Sequence, residues 1–340
     1  MYLTTGTLFN NGLLDFIADM NSESKRVKVK EVYGSLLNDP IGTARESSRL
    51  PRVSVKGLID HIEYAKESCN LDVVYALNSP AFLPTESNIK GVLTFLNLIK
   101  NCGVEKFIVS APIIVELMEE HFPGLKVILS TILRVNSVRT YKLLAERYEN
   151  IDRVVLDLME NRNFLLIKSL LSSGCDLELI VNEVCVQGCP WRNHHYIMQG
   201  TNTKYKDYPY NNCWAVQKKD FIAEILKARF ICPEDLEVYR KTGVKWFKIT
   251  GRTMPLEFQK RVIKAYVNEK HDGNLLDLFP IVPGRLEDEG EGYDYYIDSS
   301  KLAGFLEYFQ DNGHFCNSAC GVYCSYCDIF ANKLRGVKKC

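Results

Sequence analysis

Along this chain, short β-rich apolar runs alternate with stretches whose apolar positions recur at helical spacing. Residues 71–77, 105–110, 125–130, 151–157 and 177–181 carry the strand pattern, and weaker runs at 3–8, 29–34 and 246–249 bring the number to eight. Residues 55–69, 89–102, 113–122, 137–148 and 164–173 read as amphipathic helices, with exits punctuated by Asn101-Cys102-Gly103, Phe122-Pro123-Gly124 and Ser173-Gly174. Eight βα steps over about 250 residues predict a TIM-like (β/α)8 barrel, and no Gly-x-Gly-x-x-Gly turn follows the first strand to favour a doubly wound sheet. The acidic, glycine-rich run from Gly284 to Gly292 predicts a linker into a helix over 300–310 and a terminal cysteine cluster. The expected division is a barrel over 1–283 and a short cysteine-rich C-terminal appendage over 284–340.

Composition narrows the function. With 46% hydrophobic and 25% charged residues, and no apolar run near the roughly 20 residues of a membrane helix, the class is an ordinary globular protein. Forty-two basic and 42 acidic residues cancel, which gives no strong nucleic-acid signal. The opening Met1-Tyr-Leu-Thr-Thr-Gly lacks the features of a secretory leader, so the expected location is cytoplasmic. There, thiols stay reduced, and the close-set thiols among the 12 cysteines read as metal or iron–sulfur ligands rather than cross-links. Eight fall into two groups, Cys185, Cys189, Cys213 and Cys232, then Cys316, Cys320, Cys324 and Cys327. Cys69, Cys102 and Cys175 belong to apolar stretches and read as core, and Cys340 as a free thiol at a frayed terminus.

A barrel carries its chemistry at the C-terminal ends of its strands. Those ends hold Ser110, Ser130, Arg134 and Asp157, then the run from Asn182 through Cys185 and Cys189 to Tyr196, with Cys232 expected at the end of a further strand. The connection from Pro190 to Asp220 is long enough to act as a lid. Glu183, Arg192, His194 and His195 are the candidate catalytic residues, and in an extended loop the two histidines point to opposite sides. Arg45, Arg134 and Arg252 are candidates, with Arg192, to fork onto carboxylates of a small anionic ligand. His61 and His121 read as solvated helix residues and His271 as a loop residue. One knuckle with single partners favours iron–sulfur over zinc in the first cysteine group. For the second, Cys320-x3-Cys324-x2-Cys327 matches the spacing of radical S-adenosylmethionine enzymes, but Cys316 closes the set and the motif follows the barrel. A closed iron–sulfur cluster and a structural zinc both remain open there. No Gly-x-Ser-x-Gly or His-Glu-x-x-His motif supplies a hydrolytic centre.

Two stretches resemble peptidase family U32, the collagenase-like proteases: Val32-Tyr-Gly-Ser-Leu-Leu-Asn-Asp-Pro-Ile-Gly-Thr-Ala-Arg45, and residues 232–252 with Phe247-Lys248-Ile-Thr-Gly-Arg252. Glu178-Leu-Ile-Val-Asn182-Glu183-Val-Cys185 is similar to the family signature Glu-x-Phe-x-His-Gly-Ala-x-Cys, with Asn182 where the signature has histidine and without its Gly-Ala pair. Over residues 1–270 the resemblance implies a barrel with a four-cysteine 4Fe-4S cluster on Cys185, Cys189, Cys213 and Cys232. It also implies a family that mixes peptidases with oxygen-independent hydroxylases, for which prephenate is the oxygen donor. The expected activity is therefore redox modification of a small molecule, peptide or RNA base. The alternatives are a peptidase, a non-catalytic iron–sulfur partner in a hetero- or homodimer, and a radical enzyme.

Overall fold

A computed structural model describes residues 1–37, 39–45, 47–201, 210–280 and 295–335. Eight strands, β1 (Tyr2–Gly6), β2 (Lys28–Gly34), β3 (Asp72–Leu77), β4 (Lys106–Val109), β5 (Lys126–Leu129), β6 (Ile151–Val155), β7 (Leu177–Ile180) and β8 (Trp246–Lys248), pair in parallel and in chain order. The pairing of β8 with β1 closes them into a (β/α)8 barrel. Every strand coincides with an expected run to within a few residues.

Side-chain alternation divides each strand between two cores. Val29, Val73, Phe107, Val127, Val154, Leu179 and Phe247 face outward into the large core under the helices. Tyr33, Val74, Ala76, Ile108, Ile128, Val155 and Ile180 point inward and fill the barrel. Beneath them the interior is ionic: Arg153 bonds Glu31 and reaches Glu178 at 3.1 Å, and Lys106 meets Glu31 at 2.8 Å. These inward charges come from strands that read as apolar runs, because two faces share one sequence.

Helices return the chain between strands: α1 (Asn11–Glu23), α2 (Val55–Cys69), α3 (Glu86–Asn101), α4 (Pro112–His121), α5 (Val138–Ala145) and α6 (Phe164–Ser172) follow β1 to β6. Side-chain oxygens of Asn10, Ser54, Thr85, Ser137 and Asn163 accept from N–H groups in the first turns of α1, α2, α3, α5 and α6. After β7 come α7 (Arg192–Gly200), α8 (Tyr210–Lys219), α9 (Phe221–Lys227) and α10 (Leu236–Thr242), and α11 (Leu256–Val267) follows β8. The connection expected as a loop over 190–220 is thus largely helical where it is described. The C-terminal residues form α12 (Glu307–Asn312), α13 (Cys316–Ala319) and α14 (Tyr326–Arg335). The helix expected over 300–310 is broken, because Gly304 at φ +81° separates a 3-10 turn, Ser299–Leu302, from α12. The domain boundary expected at 283/284, the acidic run and Cys340 lie outside the described residues. No described helix is long and apolar enough to cross a membrane.

Two local expectations are corrected. Cys232 ends no strand: it precedes a 3-10 turn at Pro233–Asp235, and the N–H of Ile231 bonds the Val181 carbonyl. His61 is buried rather than solvated, between Thr7 Oγ1 at 3.0 Å and Asn11 Oδ1 at 3.1 Å, because α2 turns that face onto α1. Burial holds its imidazole down at about 4. The unfolded chain, with histidine near 6.5, therefore takes up a proton that the folded chain refuses as pH falls from about 6.5 to about 4. Stability contributed at neutral pH should decline through that window, with a slope of up to about 1.4 kcal/mol per pH unit. Urea unfolding of the native chain and of His61→Gln across that range checks this; parallel curves would refute it.

Candidate active site at the barrel mouth

Strand ends and the two connections around β7 build the open end of the barrel. Asn182, fully buried just beyond β7, donates to the carbonyls of Thr250 and Leu278 and accepts from the Thr250 N–H at 2.7 Å. It rivets the β7 and β8 ends together, a structural task for the residue standing in the signature's histidine position. The following turn presents Glu183, Cys185 and Cys189, and α7 then lies across the mouth. Gly200, at the end of α7, contacts Ser79, and its carbonyl would stand 3.3 Å from a Cβ on Gly42, so the helix reaches the loops after β2 and β3.

Asp157, just beyond β6, anchors α7: it accepts from Arg192 at 2.7 Å and from Arg134 Nε at 3.1 Å. Arg192 and Asp157 are both buried, whereas Arg134 is half-exposed. Asp157 thereby occupies the two arginines on this side of the mouth. On the opposite side Arg45 lies 3.9 Å from Glu183, and Arg252 donates to the hydroxyls of Ser35 and Thr43. Arg252 is 4% exposed and forms no salt bridge among the described residues. Burial, then repulsion from Arg45, lowers its guanidinium to about 10. Gly6 is required where it stands, because any side chain there would collide with Arg252.

The histidines separate as expected, though on a helix rather than an extended loop. His194 is exposed, while His195 is half-buried and stacked on Tyr196 with ring centroids 5.7 Å apart. Tyr196 faces the site: burial, then Cys185 and Glu183, push its hydroxyl above the ordinary range. His121 is exposed, and Cys69, Cys102 and Cys175 are buried.

Cys185, Cys189 and Cys213 stand as one group. Burial is the first cause raising both Cys185 and Cys189, Glu183 adds to it at Cys185, Cys189 and Cys213 act on Cys185, and Cys213 acts on Cys189. Cys232 is set apart in the core, where the groups bearing on it are Asp235, Glu234 and Arg162. Among the described residues, no group of three or more His, Cys, Asp or Glu is placed to hold a single metal ion. The three mouth thiols suit a group that spreads its thiolates over several metal atoms.

One interior residue went unnoticed as a candidate. Lys248 is buried with its amine 3.9 Å from the centre of the Tyr33 ring, and burial, opposed by Glu178, lowers it to about 8. Its strand alternation with Thr250 marks it as inward-facing in the sequence; its surroundings are set by β2 and β7, far away in the chain.

The model of peptidase family U32 matches residues 41–161. "Uncharacterized protease MJ1657" of Methanocaldococcus jannaschii is 32% identical over 340 residues, covering 96% of this chain and 95% of that protein. Among solved structures, the U32 peptidase Mk0906 aligns with 62% of this chain and 82% of its own, at 15% identity and a TM-score of 0.48. A putative dihydrodipicolinate synthetase from Pseudomonas aeruginosa aligns with 90% and 82%, at 9% identity and a TM-score of 0.43. Matched along almost its whole length by a relative of that kind, and carrying the family's own segment from the connection after β2 to just beyond β6, the chain belongs to peptidase family U32.

Proposed function

We propose that this chain is an iron–sulfur enzyme that carries out redox modification of a small anionic substrate at the barrel mouth. The observation that carries this reading is Glu183 at the barrel mouth, which bears on the Cys185 thiol and lies 3.9 Å from Arg45, the arginine that in turn faces Arg252. Cys185, Cys189 and Cys213 would hold the cluster, which supplies an electron-transferring, ligand-accepting iron centre when bound. Cation binding is what would deprotonate thiols that burial keeps protonated.

The chain's own residues supply binding and orientation. Arg252 and Arg45, close enough to repel each other, give a carboxylate two forks where the protein provides Arg252 only hydroxyl partners among the described residues. The prephenate expected from the resemblance suits that site as an oxygen donor. Hydroxylation then balances when the donor's C–O bond and a substrate C–H bond break, the oxygen passes to the substrate as C–OH, and the donor carbon keeps two electrons and takes up a proton. The Arg192–Asp157 pair holds α7 over the chamber and limits water. Glu183, Tyr196 and His195 are the groups beside the thiols able to move a proton.

The family and the relative's name support a second reading, a peptidase. Both are tested with full-length protein purified without oxygen. Incubated with prephenate and a small-molecule extract, it should give products heavier by one oxygen. Cys185→Ser should abolish them, and Arg252→Gln should reduce them at least about tenfold, the equivalent of about 1.4 kcal/mol for a lost charged contact. Hydrolysis of gelatin or casein that survives Cys185→Ser would establish the peptidase and overturn the redox reading.

A further inference from the structure

The second cysteine group closes into a site of its own. Cys316 opens α13, the backbones of Cys320 and Cys324 pair in an isolated β-bridge across a tight turn, and Cys327 lies in the first turn of α14. The turn is held by N–H groups of Val322, Tyr323 and Cys324, all donating to the Ala319 carbonyl, and by Gly321 at φ +76°. All four cysteines line one small cavity, partly open to solvent, whose remaining wall includes Arg229, Lys227 and Asp328.

Behind this cavity the barrel buries two guanidinium groups. Arg162, 1% exposed, donates to the carbonyls of Leu226 and Phe230 and lies about 5 Å from the rings of Phe230, Phe305 and Phe309. Arg229, 2% exposed, donates to the carbonyls of Met159 and Lys227. Neither is salt-bridged to a carboxylate among the described residues; Asp235 and Glu160 act on them only at longer range. Arg162 Nε and Arg229 Nη2 are buried without an oxygen partner. A buried cation costs several kcal/mol unless an anion faces it. The charges that bear on Cys316, Cys320 and Cys327 include Arg229, joined by Arg162 at two of them.

We propose that Cys316, Cys320, Cys324 and Cys327 hold a four-iron, four-sulfur cluster whose net negative charge is offset by Arg162 and Arg229. Four thiolates around such a core make a dianion, which matches two otherwise unpaired guanidinium groups. A single zinc demands sulfurs about 2.3 Å from one point, a convergence that no three ligand-capable side chains among the described residues make. One cavity lined by all four thiols suits a cluster, which spreads its thiolates over several metal atoms. This assignment does not rest on the reading of the mouth.

The test uses full-length chain purified anaerobically and analysed for iron, acid-labile sulfide and zinc. In a Cys185→Ser/Cys189→Ser background, about four iron and four sulfide per chain should remain. Adding Cys320→Ser and Cys324→Ser should remove them. Zinc in place of iron in the first protein, or no metal there, overturns the proposal even if the second protein fails to fold. So does iron unchanged in the second. Equal iron in the native chain and the first protein would count against a mouth cluster while leaving this one standing. Arg229→Gln should move the remaining centre's reduction potential to a more negative value, and Arg229→Lys should hold it near the native value; a potential unmoved by Arg229→Gln overturns the assigned role of the arginine.

Discussion

The ionic floor of the barrel is the constraint around which the rest is arranged. Arg153, fully buried, is shared between Glu31 on β2 and Glu178 on β7, and Lys106 on β4 completes the charge balance at Glu31. Removing one member of such a buried set leaves an uncompensated charge, at a cost of about 3 to 5 kcal/mol, so strands far apart in the chain are fixed relative to one another. The Trp246 ring lies 4.0 Å from the Arg153 guanidinium and adds a cation–π contact. Above this floor the interior is apolar up to Ile180 and Leu158 except for Lys248 against Tyr33, which leaves the mouth as the end where polar chemistry gathers. A floor of charges and a plug of aliphatic side chains make the barrel a filled platform rather than a channel.

That platform explains why α7 matters. Its first residue is pinned to Asp157 beyond β6, and its last lies against Ser79 beyond β3, so one short helix spans the mouth. The thiols of Cys185 and Cys189 sit in the turn that launches it, and Asn182 fixes the start of that turn to β8. Displacing the helix therefore displaces the turn that carries the thiols. The Arg192–Asp157 pair has a positional rather than an electrostatic value: it sets where the chamber's roof begins.

The barrel was legible because its evidence is local. A run such as residues 105–110 declares a strand through its own β-branched and aromatic residues, and residues 55–69 declare a helix through spacing and the Ser54 cap. The candidates that clustered in sequence, Glu183, Cys185, Cys189 and Arg192, also cluster in space for the same reason. Cys232 shows the limit. Its neighbours Phe230 and Ile231 continue as core, and the bond from Ile231 to Val181 draws the backbone inward, a contact that no spacing rule reveals. His61 shows it again, since its burial depends on α1 packing over α2. Arg162 and Arg229 gave no signal because an arginine's meaning lies in which charge is missing around it.

The two cysteine groups, remote in sequence, are joined by one polar chain. Gln187, between Cys185 and Cys189, donates to Asn317 at 2.7 Å, and Asn317, next to Cys316, donates to Glu160. Glu160 in turn accepts from Asn163 at the start of α6, close to Arg162. Gly313 presses so closely on the Arg162 carbonyl that a side chain there is excluded, which fixes the C-terminal segment against that same turn. The segment is thus held by backbone contact at Gly313, by aromatic packing of Phe305 and Phe309 on Arg162, and by the amide pair Gln187–Asn317. The appendage is in that sense part of the mouth: it supports the turn from which two of the mouth thiols project.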